Sequence, residues 1–254
     1  MTFDFTNKNV LITGGSRGIG NVTAKLFAAS GANVIITYKS NQQGAEQTLA
    51  DLKPGKHSAY QLDVTDPSAI EHFFALYAEK HGRVDVLANN AAIFIEHKIL
   101  EASYQDWQQS WDETLKANLT GPANMCFFAS RLMKTHGGGK IINISSRGAF
   151  RGEPDHPAYG ASKAALNAMS QSLAIALAPH NISVHIIAPG FVETEMAAGA
   201  LNGPQGESIK NQSPFGRVAR PGEVARLVAV YASEGLEFTS AGIVDINGAS
   251  YLRG

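Results

Sequence analysis

Cysteine is nearly absent from the chain, and Cys126 is the only one. That excludes an internal disulfide and a cysteine-based metal cluster. Cys126 lies in the apolar run Asn124-Met125-Cys126-Phe127-Phe128 and reads as packing rather than as a reactive thiol. An excess of one charge is lacking too. Lysine plus arginine number 21 against 22 for aspartate plus glutamate, and no basic block occurs. Nucleic acid and anionic membrane are therefore disfavoured as main partners. No apolar run approaches a membrane span. Met1-Thr2-Phe3-Asp4-Phe5 lacks the basic-then-apolar pattern of a secretion signal. A cytoplasmic location is the expectation. No histidine or carboxylate cluster has metal-ligand spacing, so no metal is expected. Internal repeats, linkers and breaks in composition are missing as well.

Hydrophobic residues make up 44% of the 254, enough for a sizeable core. They fall in short runs near 9–13, 32–37, 58–62, 84–88, 140–146, 182–188 and 242–246, which read as strands. Helical patterns fill 21–30, 43–53, 66–81, 104–135, 159–178 and 221–232. This alternation argues an α/β fold: one doubly wound Rossmann-type domain over 1–254, with about seven parallel strands and helices on both faces. A polar, glycine-rich stretch around 195–213 has no clear period and is expected to form a substrate lid.

The first strand runs into Thr13-Gly14-Gly15-Ser16-Arg17-Gly18-Ile19-Gly20 and then a helix. Each glycine has a physical task. Gly14 permits a tight turn. Gly18 leaves no side chain between the backbone and a pyrophosphate. Gly20 lets the helix approach the sheet. Free N–H groups at the helix start then face phosphates. Dinucleotide binding is the expectation, although the spacing is G-x-x-x-G-x-G rather than G-x-G-x-x-G.

The second strand decides which dinucleotide. An acidic residue near its end would take the ribose hydroxyls of NAD. Here the end reads Thr37-Tyr38-Lys39-Ser40-Asn41, without an acid. Lys39, Arg17, Ser40 and Asn41 suit a 2′-phosphate, so NADP(H) is favoured over NAD(H). Lys39 as a solvated loop lysine is the alternative. Asp63, at the third strand's end, is either an acceptor for the adenine amino group or a turn former. Asn89 and Asn90 can fix neighbouring strands or a cofactor.

Tyr159 stands four residues before Lys163, at the head of a helix of small residues. That spacing puts both on one helix face. A cation beside a phenol favours phenolate, so proton chemistry is one reading and an exposed pair the other. Position weighs for chemistry. The glycine loop, Asn90, Ser146, Tyr159 and Pro189-Gly190 all follow strand ends and so share the rim where parallel sheets bind ligands.

Together, TGGSRGIG at 13–20, NNAA at 89–92, Asn118, Ser146 thirteen residues before Tyr159, Lys163, and Pro189-Gly190 with Thr194 resemble the short-chain dehydrogenase/reductase family over nearly the whole length. Ala92 departs from the family's usual glycine. The resemblance implies a catalytic tetrad of Asn118, Ser146, Tyr159 and Lys163. Tyr159 would exchange a proton with the substrate oxygen, Lys163 would lower its pKa, Ser146 would bind that oxygen, and Asn118 would anchor a relay water. It also implies a cofactor cradle of Gly14, Ser16, Arg17, Gly18, Ile19 and Gly20, with Tyr38, Lys39, Ser40, Asp63 and Val64. Asn90, Ala91, Ala92, Tyr159, Lys163, Pro189, Gly190, Val192 and Thr194 complete it.

Within the family the nearest look is to β-ketoacyl carrier-protein reductases, through Pro214-Phe215-Gly216-Arg217 and the end 244–251. The implied substrate is a carbonyl or alcohol, with a 3-oxoacyl thioester on a carrier protein, docked near Arg131, as the leading reading. Sugar, steroid-like or other small alcohols are the alternative, with Arg147 and Arg151, in a segment at 147–157 that reads as a loop, placed to meet an anion. His97 and His156 are further candidates for substrate contact. A homotetramer built through the helices at 104–135 and 158–178 is expected. A dinucleotide-sensing protein without turnover is the non-enzymatic alternative.

Overall fold

The computed structural model describes residues 2–253. Along the chain the strands are β1 (Asn9–Ile12), β2 (Asn33–Tyr38), β3 (Ser58–Gln61), β4 (Val86–Asn89), β5 (Gly139–Ile144), β6 (Ile182–Pro189) and β7 (Ile243–Ile246). The helices are α1 (Gly18–Ala29), α2 (Gln42–Ala50), α3 (Pro67–His81), α4 (Tyr104–Leu115), α5 (Gly121–Thr135), α6 (Gly148–Arg151), α7 (Pro157–Leu177), α8 (Glu195–Asn202), α9 (Gly206–Asn211) and α10 (Pro221–Ala232). The strands form one parallel sheet of seven in the order β3-β2-β1-β4-β5-β6-β7.

The central strands β1, β4 and β6 are buried at every position, and mostly apolar, because both faces of the sheet are covered. In β1, Val10 and Ile12 point into a core shared with Phe27 of α1 and Val224 of α10. Leu11 points the other way, to Phe73 of α3, Met125 of α5 and Ala174 of α7. A one-residue slip would exchange the two sets.

Local chemistry sets the helix ends. The Asp66 carboxylate accepts the Ser68 and Ala69 N–H groups (2.9 and 3.1 Å), Pro67 opens α3, and Gly82 at φ +73° ends it. At α10, the Glu223 carboxylate accepts the Arg220 N–H at 2.7 Å ahead of Pro221.

Four expectations need correction. The segment 104–135 is not one helix, because a π-helical turn at Lys116–Thr120 separates α4 from α5. Such turns widen the backbone to aim one side chain, here Asn118. The stretch at 195–213 is not irregular but holds α8 and α9, too short and too rich in glycine to show a period. The loop at 147–157 contains α6. The fifth strand stops at Ile144, leaving Ser145 and Ser146 beyond its end. Among the described residues no helix is long and apolar enough to cross a membrane.

Candidate active site

The chain reverses direction across the sheet at β1, which pairs with β2 on one side and β4 on the other. A ligand-sized crevice forms beyond the carboxyl ends of strands at such a point. Here it is a cavity of about 1080 Å³. It is bordered by Gly14, Ser16, Arg17, Gly18 and Ile19 from the glycine loop, and by Tyr38, Lys39, Ser40, Asp63 and Val64 after β2 and β3. Asn90, Ala91 and Ala92, then Ser146, Tyr159 and Lys163, then Pro189, Gly190, Val192 and Thr194 close it. Gly20 and Asn118 do not border the cavity; they stand just behind its wall.

The glycine loop is shaped by its neighbours. Gly14 and Gly18 adopt φ of +67° and +55°, a region that disfavours side chains. At Gly20 a Cβ would lie 2.2 Å from the Gly14 carbonyl oxygen, so only glycine lets α1 start this close to β1. The Asn90 amide donates to the Thr13 and Gly14 carbonyls (2.9 and 3.1 Å), and Thr13 Oγ1 accepts the Asn90 and Ala91 N–H groups (both 3.0 Å). Asn90 thus ties β4 to the loop. Asn89 faces inward and donates to Asn143 Oδ1 at 2.8 Å. A loop held open by glycines at the start of a helix, with cations at Arg17 and Lys39, fits a dinucleotide pyrophosphate and an adenosine phosphate.

Both cations already have partners. Lys39 Nζ lies 2.7 Å from Asp63 Oδ2, and Arg17 Nη1 lies 3.1 Å from Glu195 Oε2 of α8. Asp63 also accepts from Thr65 N and Oγ1 (3.0 and 2.8 Å), so it forms the turn and pairs with the lysine. Burial pushes its carboxyl up, but the Lys39 and Thr65 bonds outweigh this and hold it below the ordinary value.

Tyr159 and Lys163 share one face of α7, as their spacing requires. Lys163 is buried, and its Nζ donates to the Ile144 carbonyl at 2.8 Å. Burial brings its pKa down to about 8. The nitrogen is 5.7 Å from the centre of the Tyr159 ring. The phenol departs from expectation: its pKa is raised, not lowered. Burial is the main cause, the Ser146 hydroxyl opposes it, and Glu153 adds to it. A lysine committed to a backbone carbonyl does not offset desolvation of the phenol. Ser146 Oγ accepts the Gly148 N–H at 3.0 Å.

Asn118 is fully buried in the π turn. It accepts the Ile93 N–H at 2.9 Å and donates to the Ile93 carbonyl at 3.0 Å and to Ser162 Oγ at 3.3 Å. It therefore fixes the segment after β4 in the way a neighbouring strand would.

Neither histidine candidate borders the cavity. His97 is buried, with Nδ1 on the Ile95 carbonyl (2.8 Å) and Nε2 accepting the Ala158 N–H (3.2 Å). His156 stacks on Phe94 with ring centres 3.6 Å apart. Arg147 is buried at the cavity edge. Its Nη1 donates to Gln212 Oε1 (2.9 Å) and Ser250 Oγ (2.8 Å), so its guanidinium ties α9 and the C-terminal segment to the Ser146 loop. Arg151 uses the same Gln212 oxygen. Residues that sequence reasoning did not single out complete the wall: Phe94, Phe191, Met196 and the half-buried Glu153. Their only signal was their place in the segments after β4, β5 and β6.

A family model described as enoyl-(acyl carrier protein) reductase matches residues 14–248. An NAD-dependent glycerol dehydrogenase of Listeria innocua is 33% identical over 251 residues, covering 99% of this chain and 96% of that one. The 3-oxoacyl-[acyl-carrier-protein] reductase FabG of Escherichia coli is 34% identical over 249 residues, covering 98% and 99%. A crystal structure of a short-chain dehydrogenase/reductase, titled glucose/ribitol dehydrogenase, from Brucella melitensis superposes with a TM-score of 0.90 at 29% identity, covering all of both chains. The chain belongs to the short-chain dehydrogenase/reductase family. It is an oxidoreductase of that family, acting on alcohol or carbonyl substrates with a nicotinamide cofactor. The family's seven-stranded sheet with helices on both faces is the fold described above.

Proposed function

We propose that this chain transfers a hydride between NADP(H) and a carbonyl or secondary alcohol, with Tyr159 as the proton donor in reduction. The observation that carries the reading is the convergence of Ser146, Tyr159 and Lys163 on the cavity that the glycine loop also borders. A phenol held above its ordinary pKa is fully protonated near neutrality and can give its proton to a substrate oxygen. Ser146 donates to the same oxygen and stabilises charge developing there. Lys163 has three N–H donors and spends one on Ile144, which leaves others for ribose hydroxyls. Asn118 holds the Ile93 backbone and, as family resemblance implies, a relay water. The nicotinamide, when bound, supplies or accepts the hydride.

Lys39 and Arg17 support the choice of NADP(H); an NAD-dependent relative argues the other way. The segment at 195–213 acts as a lid, tethered to the glycine loop by Arg17 and Glu195. A homotetramer through α5 and α7 is part of the same reading, since Phe127 and Ile175 stand exposed on those helices. A 3-oxoacyl thioester is a second substrate reading, favoured by the similarity to FabG. Arg131 is then the candidate carrier contact; it lies exposed over the Phe127 ring at 4.2 Å.

Tyr159→Phe tests the chemistry. Removing one positioned proton donor should lower kcat about 10²- to 10⁴-fold. NADPH binding, followed by its fluorescence, should stay within about twofold. Normal turnover by the variant on the best carbonyl substrate would refute the role.

A further inference from the structure

Glu153 is the one carboxyl near Ser146 that the reading above leaves without a task. It follows α6 and borders the cavity. It is half-buried, and burial raises its carboxyl above the ordinary value while Arg147 and Arg151 oppose the rise. Neither arginine satisfies it: both direct Nη1 to Gln212, and among the described residues no donor reaches the Glu153 carboxylate. Among the described residues no ion pair includes it either. A carboxylate offers acceptors only, on two oxygens. Left unpaired and covered by a substrate, it is costly.

Gly148 places no side chain between this carboxylate and Ser146. A Cβ at Gly148 would lie 3.1 Å from Glu153 Oε1 and 3.3 Å from Ser146 Oγ. Both oxygens therefore look onto one small space that any side chain at 148 would fill. A molecule whose reacting oxygen meets Ser146 and Tyr159 presents its neighbouring atoms to Glu153. Hydroxyl donors there would satisfy the carboxylate. A methylene or thioester would leave it bare, and an anion would be repelled. The apolar walls, Phe94 and Phe191, suit the carbon faces of such a chain.

We propose that Glu153 is the specificity-determining residue and that the substrate is a short polyhydroxylated chain, a polyol or its ketose, rather than an acyl thioester. This rests on the hydride-transfer reading of the same cavity. The carboxylate accepts hydrogen bonds from hydroxyl groups beside the reacting carbon.

The test uses three carbonyl probes with the purified full chain and NADPH or NADH: erythrulose, 2-butanone, and the acetoacetyl thioester of N-acetylcysteamine. The first two share a four-carbon skeleton and differ only in hydroxyl groups. Wild type should favour erythrulose over 2-butanone in kcat/KM, and over the thioester. In Glu153→Gln the erythrulose to 2-butanone ratio should fall about tenfold, and in Glu153→Leu about a hundredfold, mostly through KM, as loss of charge-assisted hydrogen bonds predicts. Glu153→Gln keeps size and shape, so it carries the test even if Glu153→Leu folds poorly. An unchanged ratio in Glu153→Gln, or a wild-type preference for the thioester, would overturn the proposal while leaving hydride transfer standing. Failure of wild type to reduce any of the three would overturn both.

Discussion

Lys39 and Asp63 meet at the ends of β2 and β3, the lysine two-thirds exposed. An ion pair this open to solvent contributes at most about 1 kcal/mol, and a doubly charged phosphate competes with it readily. Lys39 is therefore available to a 2′-phosphate despite its resting partner. Replacing it with alanine should weaken NADPH about tenfold more than NADH, read as two dissociation constants from fluorescence titration. Equal weakening of the two would remove the phosphate role. The identity of this residue could be read from the sequence, but its pairing with Asp63 could not, since 24 positions separate the two. Tyr159 shows the same limit from another side. Its helical offset from Lys163 was legible. The direction of its pKa was not, because that depends on how deeply the ring is enclosed and on Glu153 nearby.

At the scale of elements, β6 carries a titratable group into the core. His185 is fully buried, stacked on Tyr231 of α10 with ring centres 4.8 Å apart. Burial first, then the charge of Lys140, bring its pKa down to about 4, against the opposing effect of Glu237 and Thr239. The folded value lies below the unfolded one, so the unfolded chain takes up the proton first. Stability linked to this group is complete above about pH 6.5 and is lost as pH falls towards 4, by roughly 3 kcal/mol in all. Denaturant midpoints measured across that window should fall for wild type and fall less for His185→Gln. Parallel slopes would place the acid sensitivity elsewhere. The π turn between α4 and α5 makes a related point. The apolar period of 104–135 was readable as helix, but the widening at Lys116–Thr120 was not. It accompanies two hydrogen bonds between Asn118 and Ile93, one accepted from the Ile93 N–H and one donated to its carbonyl, a partner beyond local sequence.

For the whole molecule, the two helix layers leave Phe127 of α5 and Ile175 of α7 outside, 51% and 78% exposed. Burying both in a subunit interface would remove apolar surface from water, at about 25 cal/mol for each Å². A charge placed there would oppose assembly. Light scattering at micromolar concentration should show a tetramer for wild type and a smaller species for Phe127→Glu; an unchanged mass would move the interface elsewhere. By itself the sequence determined the alternating α/β order, the glycine loop and the helical offset of Tyr159 and Lys163. These follow from periodicity and from backbone constraints that act within a few residues. Tertiary structure alone decided that Arg147, at the cavity edge, is tied to Gln212 and Ser250, that His97 is packing, and that Glu153 faces Ser146 across the space left by Gly148. Those outcomes depend on which distant strand ends and loops are brought together, and no local pattern encodes that.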